Sequence, residues 1–154
     1  MQKVDIKKHE DQLRKFTELL LEWNKTHNLV SRKTTQNIKE HIEDSLLAAP
    51  LLRENIMDLG SGGGFPGIPI AITNPQKKVY LVERRQAKAA FLLNTINELG
   101  LQNTKVINVD SRELKAHEFG GGLDIIARAF GSPKNTIKAT EGLLKTPGTL
   151  LKIM

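Results

Sequence analysis

Between Asn55 and Ile72 the chain reads NIMDLGSGGGFPGIPIAI: an apolar run, an acid at Asp58, then a cluster of five glycines and two prolines. An apolar strand that breaks into glycines and resumes as an apolar helix leaves few folds open. It is the strand-turn-helix unit of a doubly wound sheet, in which ligands bind beyond the carboxyl ends of the strands at a topological switch point. Glycines at such a turn let the chain reverse tightly and let a ligand touch bare backbone.

The remaining sequence keeps the same rhythm. KVYLVE, TKVINV, LDIIARA and the final PGTLLKIM are strand candidates rich in Val, Ile and Leu. Between them RRQAKAAFLLNTINEL reads as a helix stopped by Gly100, a suitable left-handed cap. SPKNTIKATEGLLK reads as another, with Ser132 as cap and Pro133 at its first position. Strands alternating with helices predict an α/β fold, a parallel sheet with helices on both faces. Upstream, Leu13, Phe16, Leu20 and Trp23 recur at helical spacing over about Ile6 to Trp23. Ile38, Ile42, Leu46 and Ala49 mark a second helix starting after Thr34 or Thr35 as cap. NKTHNLVSRK is read as a polar connector between them. Residues 1–53 are thus expected to form a helical segment packed on a sheet unit spanning 54–154.

Composition removes several chemistries. With no cysteine among 154 residues there is no disulfide, no thiolate metal site and no cysteine nucleophile. The four histidines are scattered, so no metal is expected. No apolar run reaches the roughly 20 residues that span a bilayer, and MQKVDIKKHEDQLRKF lacks the apolar core of a signal peptide. The reading is a cytoplasmic protein without a membrane partner. The net charge of +6 suits a polyanion, with Lys25, Arg32, Lys33, Arg53, Arg84, Arg85 and Lys88 as candidate phosphate contacts.

Two ligand patterns overlap at the glycines. Gly62 to Gly67 spells GxGxxG, the dinucleotide fingerprint. That fingerprint places its first glycine directly after the strand, whereas this strand ends near Leu59, and Pro66 removes an amide that a pyrophosphate would use. The other pattern is Asp58-x-Gly60-x-Gly62-x-Gly64. An acid there repels a diphosphate and suits a cationic adenosyl ligand, the amino group and sulfonium of S-adenosylmethionine. Glu83, roughly 20 residues on at the end of the next strand, is placed to accept ribose hydroxyls.

The run GSGGGFPGIPIA then makes the pattern specific. Asp58, Gly60, Ser61, Gly62, Gly64, Phe65, Pro66, Gly67, Ile68, Pro69 and Ala71 resemble the D-x-G-[ST]-G-x-G-[FL]-P-G-[IV]-P-[IL]-A signature of the RsmG (GidB) family. NLVSRK is similar to that family's N-L-T connector, His41 to Leu46 to its H-x-x-D-S-L, Lys88 to Leu92 to its K-x-x-F-L, and Ala127 to Phe130 to its S-R-A-F. The resemblance implies a Rossmann-like class I methyltransferase, its five parallel strands in the order 3-2-1-4-5, that uses S-adenosylmethionine to methylate guanine N7 in small-subunit ribosomal RNA. It implies cofactor contacts at Gly60, Phe65 and Arg128, and a further pair after the third strand. Ungapped counting puts that pair at Ser111 and Arg112, with arginine where the family has an acid; a one-residue gap would use Glu113, and Asp110 is a third acceptor for the adenine amino group. The family also implies further strands after PGTLLKIM, so the last strand is expected as a raw edge, covered by a partner or by pairing in a homodimer; a non-catalytic binding protein and a nicotinamide-linked oxidoreductase are the alternatives.

Guanine N7 carries no proton, so its methylation needs positioning rather than a general base. Arg128 and Phe130, at a strand tip, can flank an unstacked target base; Arg128 can instead meet the cofactor carboxylate. His41 and Asp44 lie one helical turn apart and share a face, where the resemblance implies that they close the pocket.

Overall fold

The computed structural model describes residues 3–128 and 130–154. Helix α1 (Lys3–His27) is followed by α2 (Arg32–Gln36), α3 (Ile38–Ala48) and a short 3₁₀ turn at Ala49–Leu51. The alternating part then runs β1 (Asn55–Leu59), α4 (Gly67–Thr73), β2 (Lys78–Val82), α5 (Gln86–Leu99), β3 (Thr104–Ile107), β4 (Leu123–Ala127), α6 (Pro133–Leu144) and β5 (Leu150–Ile153). Among the described residues the strands form one five-stranded sheet in the order β3-β2-β1-β4-β5, every neighbour parallel. The expected order is the observed one.

Strand alternation decides what each face buries. On β1, Ile56 and Asp58 face one side, while Met57 and Leu59 face the other. The first side carries the larger core: Ile56, Val79, Leu81 and Ile126 from the sheet meet Phe16 and Leu20 of α1, Ile68 and Ile70 of α4, and Phe91 and Leu92 of α5. The opposite side gathers Met57, Leu59, Val82, Leu123 and Ile125 against Leu143 of α6 and Phe119. Phe16 and Leu20 are fully buried, so the amino-terminal helices share a core with the sheet. Two side chains of α1 also reach the end of α5: Gln12 Nε2 donates to the Leu99 carbonyl at 2.9 Å, and Lys15 Nζ to that of Glu98 at 3.0 Å.

Local chemistry sets several boundaries differently from the sequence reading. The helix carrying Ile38, Ile42 and Leu46 starts after Asn37, which caps α3 without a side-chain bond, while Thr34 and Thr35 lie inside α2, whose cap is Ser31, its Oγ accepting from Thr34 N at 3.2 Å. Helix α1 runs on to His27, and the segment after it is not a polar connector, since Leu29 is 2% exposed within the main core. The apolar side chain was outweighed by its polar neighbours when the segment was averaged. Glu83, Val109 and Arg128 fall just past the ends of their strands, which places them at the functional edge of the sheet. Ala129, expected in the fourth strand, lies outside the described residues. Gly100 closes α5 in the left-handed conformation, φ 64°, and Ser132 caps α6 through Asn135 N at 3.2 Å.

At the opposite end of the sheet, Asp124, the second residue of β4, is without solvent contact. It accepts from Arg53 N, Nε and Nη2 at 2.8, 2.9 and 2.6 Å and from Lys152 Nζ at 3.0 Å. Arg53 Nη2 also donates to the Gly148 carbonyl at 2.7 Å. This cluster fastens β5 to β4 and to the loop before β1. Arg53 is therefore committed to a structural pair, not free for a phosphate. Among the described residues β4 is the sole strand neighbour of β5, and Leu150, Ile153 and Met154 on that edge are each nearly half exposed.

Candidate functional site

A cleft of about 670 Å³ opens at the carboxyl ends of β1, β2 and β3, where the switch point was expected. Gly60, Glu83, Asp110, Ser111, Arg112 and Phe130 line it. Its floor is fixed by backbone. Gly60 N and Ser61 N both donate to the Val82 carbonyl, at 2.9 and 3.1 Å, which ties the glycine turn to the end of β2. Glu83, 6% exposed, then reaches across the turn. Its Oε2 accepts from Gly62 N and its Oε1 from Arg85 N, each at 3.0 Å. Asn108 Nδ2 donates to the Glu83 carbonyl at 2.8 Å. The carboxylate is thus held rigidly, and each oxygen keeps lone-pair capacity for a second donor such as a hydroxyl.

Gly60 shows why glycine is needed here. Its φ is +71°, and a Cβ would stand 2.7 Å from Cδ2 of Phe130. The Phe130 ring, 36% exposed, therefore lies over bare backbone at the mouth of the cleft.

Asp58 does not line this cleft. Alternation along β1 turns it toward α4, where Oδ2 accepts from Gly67 N at 3.0 Å; a Cβ on Gly67 would collide with that carboxyl. Burial lifts the Asp58 pKa to about 7, and the Gly67 amide offsets this only in part. The carboxyl is an internal brace for the turn rather than a charge facing the ligand. Ser61 is internal as well, its Oγ donating to the Asp58 carbonyl at 2.9 Å. Gly64 N donates to the Ser61 carbonyl at 2.7 Å. With the amides of Gly62, Gly64 and Gly67 engaged inside the protein, the GxGxxG reading finds no support: a pyrophosphate would meet amides already in use.

After β3, Asp110 caps the 3₁₀ turn Ser111–Glu113. Arg112 Nε and Nη2 donate to its two oxygens at 3.0 and 2.8 Å, and Arg112 N donates at 3.0 Å. These bonds hold the Asp110 carboxyl well below the usual carboxylate range. Ser111 is buried while Arg112 is exposed. Glu113 is outside the lining.

Arg128, Phe65, His41 and Asp44 form a separate corner. Arg128 Nη2 donates to His41 Nδ1 at 2.7 Å and stands 3.6 Å from Asp44 Oδ2. A guanidinium offers only donors, so His41 Nδ1 accepts and a neutral ring carries its proton on Nε2. Burial, then the Arg128 charge, lower the His41 pKa, while Asp44 opposes them. The His41 and Phe65 ring centroids are 5.5 Å apart, and Phe65 meets Phe16 edge-on at 5.3 Å.

Asn135, Lys138 and Ala139 of α6 also line the cleft, together with Arg84, Arg85 and Lys88. No motif marked the α6 residues, because α6 folds back over the switch point from a distant part of the chain. Arg84, Arg85 and Lys88 stood out only as cations. Among the described residues no three His, Asp or Glu side chains gather as a metal would need, and no helix is long and apolar enough to cross a membrane.

Strand order, glycine turn and acid-floored cleft together define a Rossmann-like methyltransferase fold. The precorrin-6y C5,15-methyltransferase of Geobacter metallireducens GS-15 shares it, with a TM-score of 0.57 over 81% of this chain and 64% of that one, at 12% identity. The profile of the rRNA small subunit methyltransferase G family, GidB, matches residues 9–154. Proteins named ribosomal RNA small subunit methyltransferase G are 42% identical over 134 residues in Nitrosomonas europaea and 37% identical over 143 residues in Nitrosomonas eutropha. The alignments cover 85% and 91% of this chain but 61% and 65% of those proteins, so the chain spans less than two thirds of their length. The chain belongs to the rRNA small subunit methyltransferase G family.

Proposed function

We propose that the chain is an S-adenosylmethionine-dependent methyltransferase acting on guanine N7 of small-subunit ribosomal RNA in the cytoplasm. The observation that carries the reading is Glu83: a buried carboxylate, braced by two backbone amides, beside a glycine turn at a strand end. The residues fit the cofactor. Glu83 accepts from ribose hydroxyls, Gly60 offers backbone without a side chain, and Asp110 or Ser111 meets the adenine edge. Arg128, two residues before Phe130, is the cation for the amino-acid carboxylate. Bound there, S-adenosylmethionine supplies a methyl group on a sulfonium.

The chain's remaining task is to hold the acceptor. N7 is an unprotonated lone pair on the major-groove edge of guanine, so no side chain has to remove a proton. That groove is too deep to read in A-form RNA, so the target base must be unstacked. The half-exposed Phe130 ring offers it a stacking face, worth about 1–3 kcal/mol per base. Arg84, Arg85, Lys88 and Lys138 on the rim draw in phosphates.

Calorimetric titration with S-adenosylmethionine, followed by methyl transfer to small-subunit ribosomal RNA or assembled subunits, tests this. The wild-type chain should bind, and Glu83→Ala should weaken binding by tenfold or more, about the value of a hydrogen bond to a charged group. Absence of both binding and transfer would remove the reading.

A further inference from the structure

The resemblance implies that His41 and Asp44 close the pocket, without saying through which contact. We propose that they are positioning residues for Arg128: from α3 they grip one edge of the guanidinium and set its orientation toward a carboxylate-bearing ligand. This rests on the cofactor reading above.

Arg128 lies just beyond β4 and has little of its own strand to hold it. Its Nη2 edge is taken by His41 Nδ1 at 2.7 Å and by the Asp44 carboxylate at 3.6 Å. Its Nη1 is shielded from solvent and has no acceptor among the described residues. A buried donor without a partner is costly. A ligand carboxylate that reaches Nη1, once the side chains over it shift, gains a charge-assisted bond and relieves that cost. The anchor is also pH-sensitive by construction. A protonated His41 has no lone pair at Nδ1 and repels the guanidinium. The charged groups acting on His41 are Arg128 and Lys33, which disfavour its protonation, and Asp44 and Glu40, which favour it. Burial adds to the first pair and holds the His41 pKa below its ordinary value, so the ring is neutral near pH 7.

Binding of S-adenosylmethionine measured by calorimetry between pH 5 and 8 tests the proposal. Wild-type affinity should fall severalfold or more as His41 charges. His41→Ala should bind roughly tenfold more weakly at pH 7.5, the value of one hydrogen bond to a charged group, and lose the part of that fall due to His41, leaving only what Asp58, which titrates near 7 and senses the Arg128 charge, contributes. His41→Asn, whose side-chain oxygen sits where Nδ1 was, should restore affinity while keeping the weaker pH dependence of His41→Ala. Asp44→Asn should have the smaller effect, since its partner is farther away. A readout without ligand accompanies these: the His41 ring titration followed by NMR should move upward in Arg128→Leu. Unchanged affinity and pH profile in His41→Ala, with wild type binding normally, would overturn the positioning role and leave the cofactor reading intact. Tighter binding in His41→Ala would overturn it too, since α3 would then be withholding the arginine. A wild-type chain that does not bind at all sinks both readings.

Discussion

Asp58 and Asp124 occupy adjacent strands on the same side of the sheet, and both are sealed from solvent. Their surroundings differ. Asp124, at the amino end of β4, is surrounded by donors from Arg53 and Lys152. Burial pushes its pKa up, but those bonds and charges outweigh burial and hold it below the usual carboxylate range. Asp58, near the carboxyl end of β1, has one backbone amide on its carboxyl. There burial wins, and the pKa rises to about 7. Depth and partners both separate them: Asp58 lies deeper in the protein with one amide on its carboxyl, whereas Asp124 meets four donors, three of them on charged side chains. One aspartate fastens an edge strand as an ion, and the other braces the ligand-binding turn with its charge largely suppressed.

The largest effect expected from this contrast is at Asp124. Replacing it by Ala leaves Arg53 and Lys152 without their partner and should cost about 3 kcal/mol in urea denaturation, the low end for a broken buried pair because both cations keep solvent contact. A loss under about 1 kcal/mol would show that the cluster is not an ionic clamp. Next, Asp58→Ala strands the Gly67 amide and should cost about 1–3 kcal/mol. Asp58→Asn keeps an acceptor for that amide and should cost less than about 1 kcal/mol, because the native carboxyl is itself close to neutral.

The smallest effect separates the two sites by pH. A carboxyl whose folded pKa is depressed stabilises above its unfolded value, about 3.9, and loses that contribution as pH falls through the folded value. Asp124 is therefore constant from pH 5 to 8. A carboxyl whose folded pKa is raised behaves in the opposite sense. Asp58 contributes fully below its unfolded value of 3.8, and the contribution is lost as pH rises through about 7. The stability difference between wild type and Asp58→Asn should accordingly favour wild type more at pH 5 than at pH 8. Equal differences at the two pH values would mean that Asp58 is ionised throughout, and the contrast would disappear.

The cleft was partly legible from sequence. Gly60 and Glu83 announced themselves, because a strand that ends in glycine and a second strand that ends in an acid are patterns within short stretches of chain. Asp58 was recognisable as important, but its direction was misjudged. Proximity to the glycines suggested a ligand contact, whereas the period of two along β1 turns its side chain inward to α4. Asp124 drew no notice, since a single acid inside an apolar run carries no signal until its partners are known. Leu29 was missed for the opposite reason, an apolar residue diluted by polar neighbours.

The sequence by itself determined the alternation of strands and helices, the tight turn after β1 and the acid after β2. These arise from side-chain period, glycine conformation and capping, all of which act over a few residues. Only the tertiary structure decided that Arg128 meets His41 across 87 residues, that α6 closes the cleft, and that Arg53 and Lys152 neutralise Asp124. Such pairings depend on which faces the packed elements bring together, and that is settled by burying the whole core at once rather than by any local stretch of chain.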